Sequence, residues 1–413
     1  MTEKSKHIMW QKPWGYPESI TIVGGIMLIG MILQLVTGPF NFYLLAFPMN
    51  IVTGIILVII SIIAGLFYRK SSFVRWLSGV PMSVSLIVAL LILTIIMGSV
   101  LQVRESQTSF GIDAMTSNWA FILIYTLTLL SLGITIIKRL RAFRLRDYAF
   151  HLNHIGLWLL MAASGLGYAD MERYIMHVRE GETEWRVYDD AGNVKELPVA
   201  ILLNDFDMDV YPPKLVIIDR STGDVQPKDE PALFQIDTDA PKGELLGWNI
   251  EVKEYYHQAI RNADSTYREM PMPGATPAVK ITATKNDTIL EGWVSGGNQA
   301  QLHKTLPVDD NYSIVMTVAE PRSFKSDIVA YAEDGTTKSQ ILEVNKPVSV
   351  GSWNIYQYGY DNNAGRLSSY SSFELVYDPW LAPVYLGIIM MMLGSFAMLW
   401  TGRKGKETEN ELE

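Results

Sequence analysis

Apolar residues fall in long blocks over one part of the chain and alternate with polar ones over the rest. Blocks of mostly apolar residues cover about Ser19–Gly38, Met49–Phe67, Val80–Val103, Trp119–Ile137, Tyr148–Tyr168 and Trp380–Trp400. Helices of that length span a hydrocarbon layer about 30 Å thick, so six transmembrane helices are predicted. Between the fifth and sixth blocks the period shortens. KLVIID (214–219), AVKITAT (278–284), YSIVMTV (312–318), WNIYQYGY (353–360) and FELVYD (373–378) are short runs with β-strand alternation. Turn-forming clusters at 190–193, 221–224 and 333–336 separate such runs. In WNIYQYGY the aromatic set Trp353, Tyr356, Tyr358 and Tyr360 reads as a half-buried strand face.

The expected fold is therefore an α-helical membrane bundle of six transmembrane helices plus an extracytoplasmic all-β domain, sandwich- or barrel-like. Its parts are a two-span extension (1–76), a three-span membrane region (77–168), a β-rich domain (169–379), and a final helix with its tail (380–413).

Charge gives the orientation. Lys4, Lys6 and Lys12 precede the first block, Arg69, Lys70 and Arg75 follow the second, and Lys138, Arg139, Arg141, Arg144 and Arg146 follow the fourth. Arg403, Lys404 and Lys406 follow the sixth, whereas 39–48 has no basic residue and 103–118 has Arg104 alone. Positive charge stays on the cytoplasmic side, which places both termini there and residues 169–379 outside. Tyr43, Trp119, Trp380 and Trp400 sit near block ends as interfacial anchors do, and Gly24, Gly25 and Gly30 are expected to allow close helix contact. The N-terminal twenty residues are too polar to resemble a cleaved signal peptide and read as a cytoplasmic lead-in.

Residues 169–379 hold 19 Lys and Arg against 34 Asp and Glu, a balance of −15. That sign disfavours nucleic acid and suits a solvated domain or one that meets a basic partner. The chain has no cysteine, which excludes disulfides, thiolate metal sites and a covalent haem site of the CxxCH type. No GxSxG, HExxH, P-loop or calcium-loop pattern is present, so a catalytic site is not expected.

Chemistry concentrates where the fifth block begins. His151 and His154 lie three residues apart in HLNHIGLWLL, on one helix face, with Trp158 a turn further on. An ionisable residue inside a span is by default a functional candidate, and neutral imidazole is a common metal and haem ligand. His151 is expected at the interface and His154 about one turn deeper; the bland reading is an interfacial histidine hydrogen-bonded to a neighbouring helix or a phosphate. His177 lies beyond the opposite end of the block, roughly 35 Å from His154 along a helix, and cannot share a metal with it. His257 reads as a packed or surface strand residue.

Several stretches resemble the ResB (CcsB) family of cytochrome c biogenesis proteins. LILTIIMGSVLQ carries Gly98-Ser99 and Gln102; NWAFILIY carries Trp119 and Phe121; HLNHIGLWLL places His154 and Gly156 on a His-x-Gly span start. Gly181-Glu182, then LPVAILLNDFDMDVYPP, then Asn345, Pro347, Gly351, Tyr356 and Gln357 in VNKPVSVGSWNIYQYGYD follow in order, and Asp378-Pro379 opens the last span. The resemblance covers about residues 77–401, leaving the first two spans unaccounted for. Ser99 stands where the family usually has Thr, and no WGxxWxWD-like segment occurs.

The resemblance implies a membrane subunit of a system II cytochrome c assembly complex, itself non-catalytic. With a ResC/CcsA-like membrane partner it would help haem cross the membrane and reach apocytochrome c. The family's membrane histidine maps to His154, the expected ligand of a transiently bound haem b iron, with His151 the weaker candidate. The alternative is a cofactor-free membrane-tethered scaffold recognising an envelope protein or polysaccharide.

Overall fold

The computed structural model describes residues 9–103, 108–144, 147–189, 192–272, 274–298, 301–362 and 364–410, the last ten as backbone alone. The charge positions Lys4, Lys6, Arg104 and Arg146, together with His7 and the Asp190-Ala191 part of one turn cluster, lie outside the described residues. Two compact units emerge, one formed by Met1–Glu172 with Tyr377–Glu413, the other by Arg173–Val376.

The first unit is helical: α1 (Tyr16–Thr37), α2 (Met49–Phe67), α3 (Ser72–Leu77), α4 (Val80–Ser99), α5 (Trp119–Leu140), α6 (Tyr148–Gly167) and α7 (Leu381–Asn410). The starts are written in the sequence. Glu18 closes a capping box on the Gly15 amide, the Asn118 side chain accepts from the Ala120 amide at 2.8 Å, and prolines open α1 and α4. The short α3, which the apolar pattern does not announce, is capped by Ser71.

Among the described residues five helices are long and apolar enough to cross a membrane: α1, α2, α4, α5 and the Leu381–Trp400 part of α7. Five of the six expected spans are therefore met on both counts. The predicted fifth span is present as the 20-residue α6, but His151, Asn153 and His154 together with its Gly and Ser residues lower its hydropathy.

Helix packing in this unit uses small residues where backbones meet. A Cβ on Gly156 would come within 2.6 Å of the Met391 amide nitrogen, one on Gly387 within 2.7 Å of that of Leu160, and one on Gly394 within 2.3 Å of that of Asn153. These three glycines let α6 and α7 touch along their length. Of the three glycines expected to do this in α1, Gly30 does, against Ala120, while Gly24 and Gly25 have open space around them. Polar side chains tie helices together internally. Ser131 Oγ donates to the Leu77 carbonyl at 2.7 Å, and Asn153 Nδ2 donates to Ser395 Oγ at 2.7 Å and to the Met391 carbonyl. Asp170 accepts from the Phe47 amide, Asn50 Nδ2 and Trp380 Nε1 at 2.6–2.8 Å, gathering the ends of three helices.

Among the described residues the second unit is an all-antiparallel β region of four sheets. One sheet pairs β4 (Lys214–Asp219) and β12 (Tyr312–Met316) at its centre; another has β7 (Trp248–Arg261), β9 (Thr276–Lys285) and β10 (Thr288–Ser295). Leu215, Ile217, Ile314 and Met316 of the first share one core with Ile250, Val252, Ile281 and Val294 of the second, which makes this half a sandwich. The third sheet is built on β3 (Val194–Val210) and β13 (Pro321–Ala332), the fourth on β16 (Trp353–Tyr360) and β17 (Tyr370–Tyr377).

Alternation is strict enough for period-two reading, with one correction. In β16 the buried residues are Trp353, Ile355 and Gln357, whereas Tyr356, Tyr358 and Tyr360 lie on the opposite, partly exposed face. Trp353 and the three tyrosines differ in parity, so a strand cannot present them together. β3 runs for 17 residues through an irregularity at Asn204, where Asp327 of β13 pairs with Asp205 and Ile328 with Leu203.

Candidate functional site

Both candidate histidines lie in the first two turns of α6, and their surroundings differ. His151 is 5% exposed, between the rings of Phe143 and Phe150. Neither of its ring nitrogens has a hydrogen-bond partner among the described residues. Depth along the helix does not follow burial here: the histidine nearer the helix start, expected at an interface, is the enclosed one. A buried polar group without a partner is costly, typically by 1–3 kcal/mol, so an unpartnered imidazole marks a place where a ligand or water would be stabilising.

His154 is half-buried. Its ring stacks on Phe150 with centroids 3.7 Å apart, and the Arg139 guanidinium caps the other side of Phe150 at 3.9 Å. Its Nδ1 lies 3.0 Å from the Phe150 carbonyl oxygen. A carbonyl can only accept, so Nδ1 carries the proton and Nε2 keeps its lone pair. This is the tautomer a metal-ligating histidine needs, with the second nitrogen held by a backbone carbonyl. The residues present thus fit a haem iron on chemistry: His154 offers a positioned Nε2, and His151 offers nitrogens not otherwise engaged. Among the described residues no group of three or more His, Asp or Glu side chains is placed to hold a metal ion, so any metal here would rely on few protein ligands.

Trp158 does not join the two histidines. Its Nε1 donates to the Leu129 carbonyl of α5 at 3.1 Å, and its ring borders an apolar cavity of about 130 Å³ with Val58, Ser61, Gly133 and Ile155. Ligand pockets usually begin at about 300 Å³, so that cavity does not accept a macrocycle. Gly156 of the His-x-Gly pattern has a packing reason, since any side chain there would strike α7.

Two other histidines, His177 and His257, have local partners. His177 Nδ1 pairs with Ser372 Oγ at 2.8 Å, and His257 Nδ1 lies 3.3 Å from the Tyr255 hydroxyl on an exposed strand face. Sequence reading missed Asp170 as the hub of three helix ends, although its place at the close of an apolar run, followed by strands, was the available signal.

The residues in VNKPVSVGSWNIYQYGYD have roles in the β unit. Asn345 and Gly351 have φ of 65° and 54°, the left-handed conformation that tight turns demand, and Gly351 sits between β15 (Val348–Val350) and β16. Gln357 is buried and donates to Ser371 Oγ at 2.7 Å; Ser371 in turn accepts from Ser326 Oγ at 2.9 Å, linking β16, β17 and β13. These are fold-determining positions. A model of the ResB-like family matches residues 310–369, the segment that contains them. No curated protein matches the chain.

Proposed function

Because the chain is ResB/CcsB-like by this match, we propose that it is the membrane subunit of a system II cytochrome c assembly complex. In this reading α6 crosses the membrane as a sixth span, its polar side chains turned to α5 and α7, and both termini are cytoplasmic. The β unit lies outside, where its acidic surface positions apocytochrome c or holds the complex together. A ResC/CcsA-like partner supplies the site at which haem is attached.

The observation that carries the haem role is the Nδ1–H of His154 held by the Phe150 carbonyl, which leaves Nε2 free to ligate iron. Haem b would bind there transiently. The cavity near Trp158 is too small for the porphyrin, which favours a haem lying against the partly exposed face of His154 and covered by the partner subunit. His151 is the second candidate ligand.

The test is genetic and spectroscopic. In cells lacking the gene, covalent haem staining of c-type cytochromes should disappear and return with the wild-type gene. Normal staining in the deletion strain would contradict the reading and favour the cofactor-free scaffold.

A further inference from the structure

A pocket of about 610 Å³ opens beside the N-terminal lead-in, between α3 and the start of α4. It lies where α1 begins, α2 has just ended and α4 begins, three of the helices able to cross a membrane, and so at the level of a membrane surface. That end of the bundle carries Arg69, Lys70, Arg139 and Arg141 as well, the basic side. Two cations line the pocket, Lys12 and Arg75, and among the described residues no acid does. Both are exposed. Lys12 makes no hydrogen bond or ion pair to a described residue, and Arg75 uses one nitrogen at 3.4 Å on the Arg69 carbonyl, leaving most of its donors available.

Three aromatic rings, Trp14, Phe73 and Trp76, make up much of the remaining wall, with Pro13, Ser72, Gly79 and Pro81 completing it. Trp14 meets Trp76 edge-on at 5.1 Å, and Phe73 lies 5.5 Å from Trp76. Both indole nitrogens are already engaged, Trp14 with the Trp10 carbonyl and Trp76 with Ser19 Oγ, so these rings offer apolar surface. Trp76 and Leu77 are buried in the bundle core, which fixes the wall in place. Free cations over a rigid apolar wall, at a membrane surface, suit an anion joined to a hydrocarbon body. We propose that this pocket binds the phosphate headgroup of an anionic phospholipid from the surrounding leaflet. Lys12 and Arg75 take the phosphate, and the aromatic wall takes the glycerol and the start of the acyl chains. The site belongs to the N-terminal region for which the family resemblance supplies no role, and it stands independently of the haem reading.

The experiment is native mass spectrometry of the full-length protein, purified in a neutral detergent and titrated with phosphatidylglycerol or phosphatidylcholine of identical chains. The expected result is preferential retention of phosphatidylglycerol, reduced roughly 10–30-fold in a Lys12→Glu/Arg75→Glu variant. The control Arg69→Glu/Lys70→Glu removes the same charge from outside the pocket and should retain the lipid as wild type does. Equal retention of the two lipids, or undiminished retention by the pocket variant, would overturn the proposal. Equal loss in the control would reduce it to bulk charge attraction and overturn it too. Displacement of the lipid by millimolar inorganic phosphate would show a site for soluble phosphate, and with it the lipid assignment fails.

Discussion

The two units are built inside out relative to each other. In the helical unit many large apolar side chains face outward, among them Ile59 on α2 at 48% exposure, while Glu18, Ser19, Asn50, Ser61 and Ser131 are buried. In the β unit Ile201, Leu203, Ile281, Phe373 and Leu375 are fully enclosed and the charged residues lie outside. The contrast shows which solvent each surface is made for. Where the solvent is hydrocarbon, apolar burial gives little drive, and packing falls to glycine contacts and buried hydrogen bonds. Where the solvent is water, apolar burial holds the sheets together and the polar residues are needed mainly for solvation.

The largest expected effect breaks this comparison directly. Ile59→Lys at the middle of α2 should cost about 3 kcal/mol of membrane insertion. Ile289→Lys in β10, though its isoleucine is more exposed at 69%, should change stability by less than about 0.5 kcal/mol. Glycosylation-reporter insertion assays read the first and thermal melting of the purified protein reads the second. Similar costs at both sites would mean that α2 does not face lipid.

Glycines sharpen the same contrast. Gly387→Val on α7 drives a side chain against the Leu160 and Gly156 backbones, and should cost about 1–3 kcal/mol or more. Gly292→Ala in β10 meets only the end of the Leu306 side chain, at 2.8 Å. That end can turn aside, so the change should stay within about 0.5 kcal/mol. Thermal melting in detergent distinguishes them, and a stable Gly387→Val protein would show that the α6–α7 contact is dispensable.

The smallest effect belongs to the solvated surface. Glu184 accepts from Arg186 Nε at 2.8 Å and Nη2 at 2.9 Å. That bidentate pair, opposed by burial and helped by the Arg186 and Trp185 amides, holds the carboxyl down at about 2. A depressed carboxyl contributes stability above its unfolded value of 4.5, and the contribution is lost as pH falls from there towards 2. Since the pair is largely exposed, the loss should be a few tenths of a kcal/mol. The difference between wild type and Glu184→Gln, measured by melting from pH 6 to pH 2, should shrink as pH falls.

Much of the architecture was legible because hydrophobic period and helix length are local properties. α2 spans Met49–Phe67 and β16 Trp353–Tyr360, the limits their patterns predicted. What escaped depended on partners distant in sequence. Gly30 meets Ala120 as expected, but the contacts of Gly156, Gly387 and Gly394 escaped, because their neighbours lie on a helix more than 200 residues away. The burial of His151 beneath Phe143 and the hydrogen bond that fixes the His154 tautomer are likewise set by surroundings that a His-x-x-His spacing cannot show.

Haem content tests most directly the proposal that His154 Nε2 ligates haem. The full-length chain, co-expressed and purified with a ResC/CcsA-like partner, should show a Soret band and a matching pyridine haemochrome of b type. His154→Ala should lose most of that haem while the two subunits still purify together. A wild-type complex without a Soret band, or a His154→Ala complex with undiminished haem, would contradict the claim.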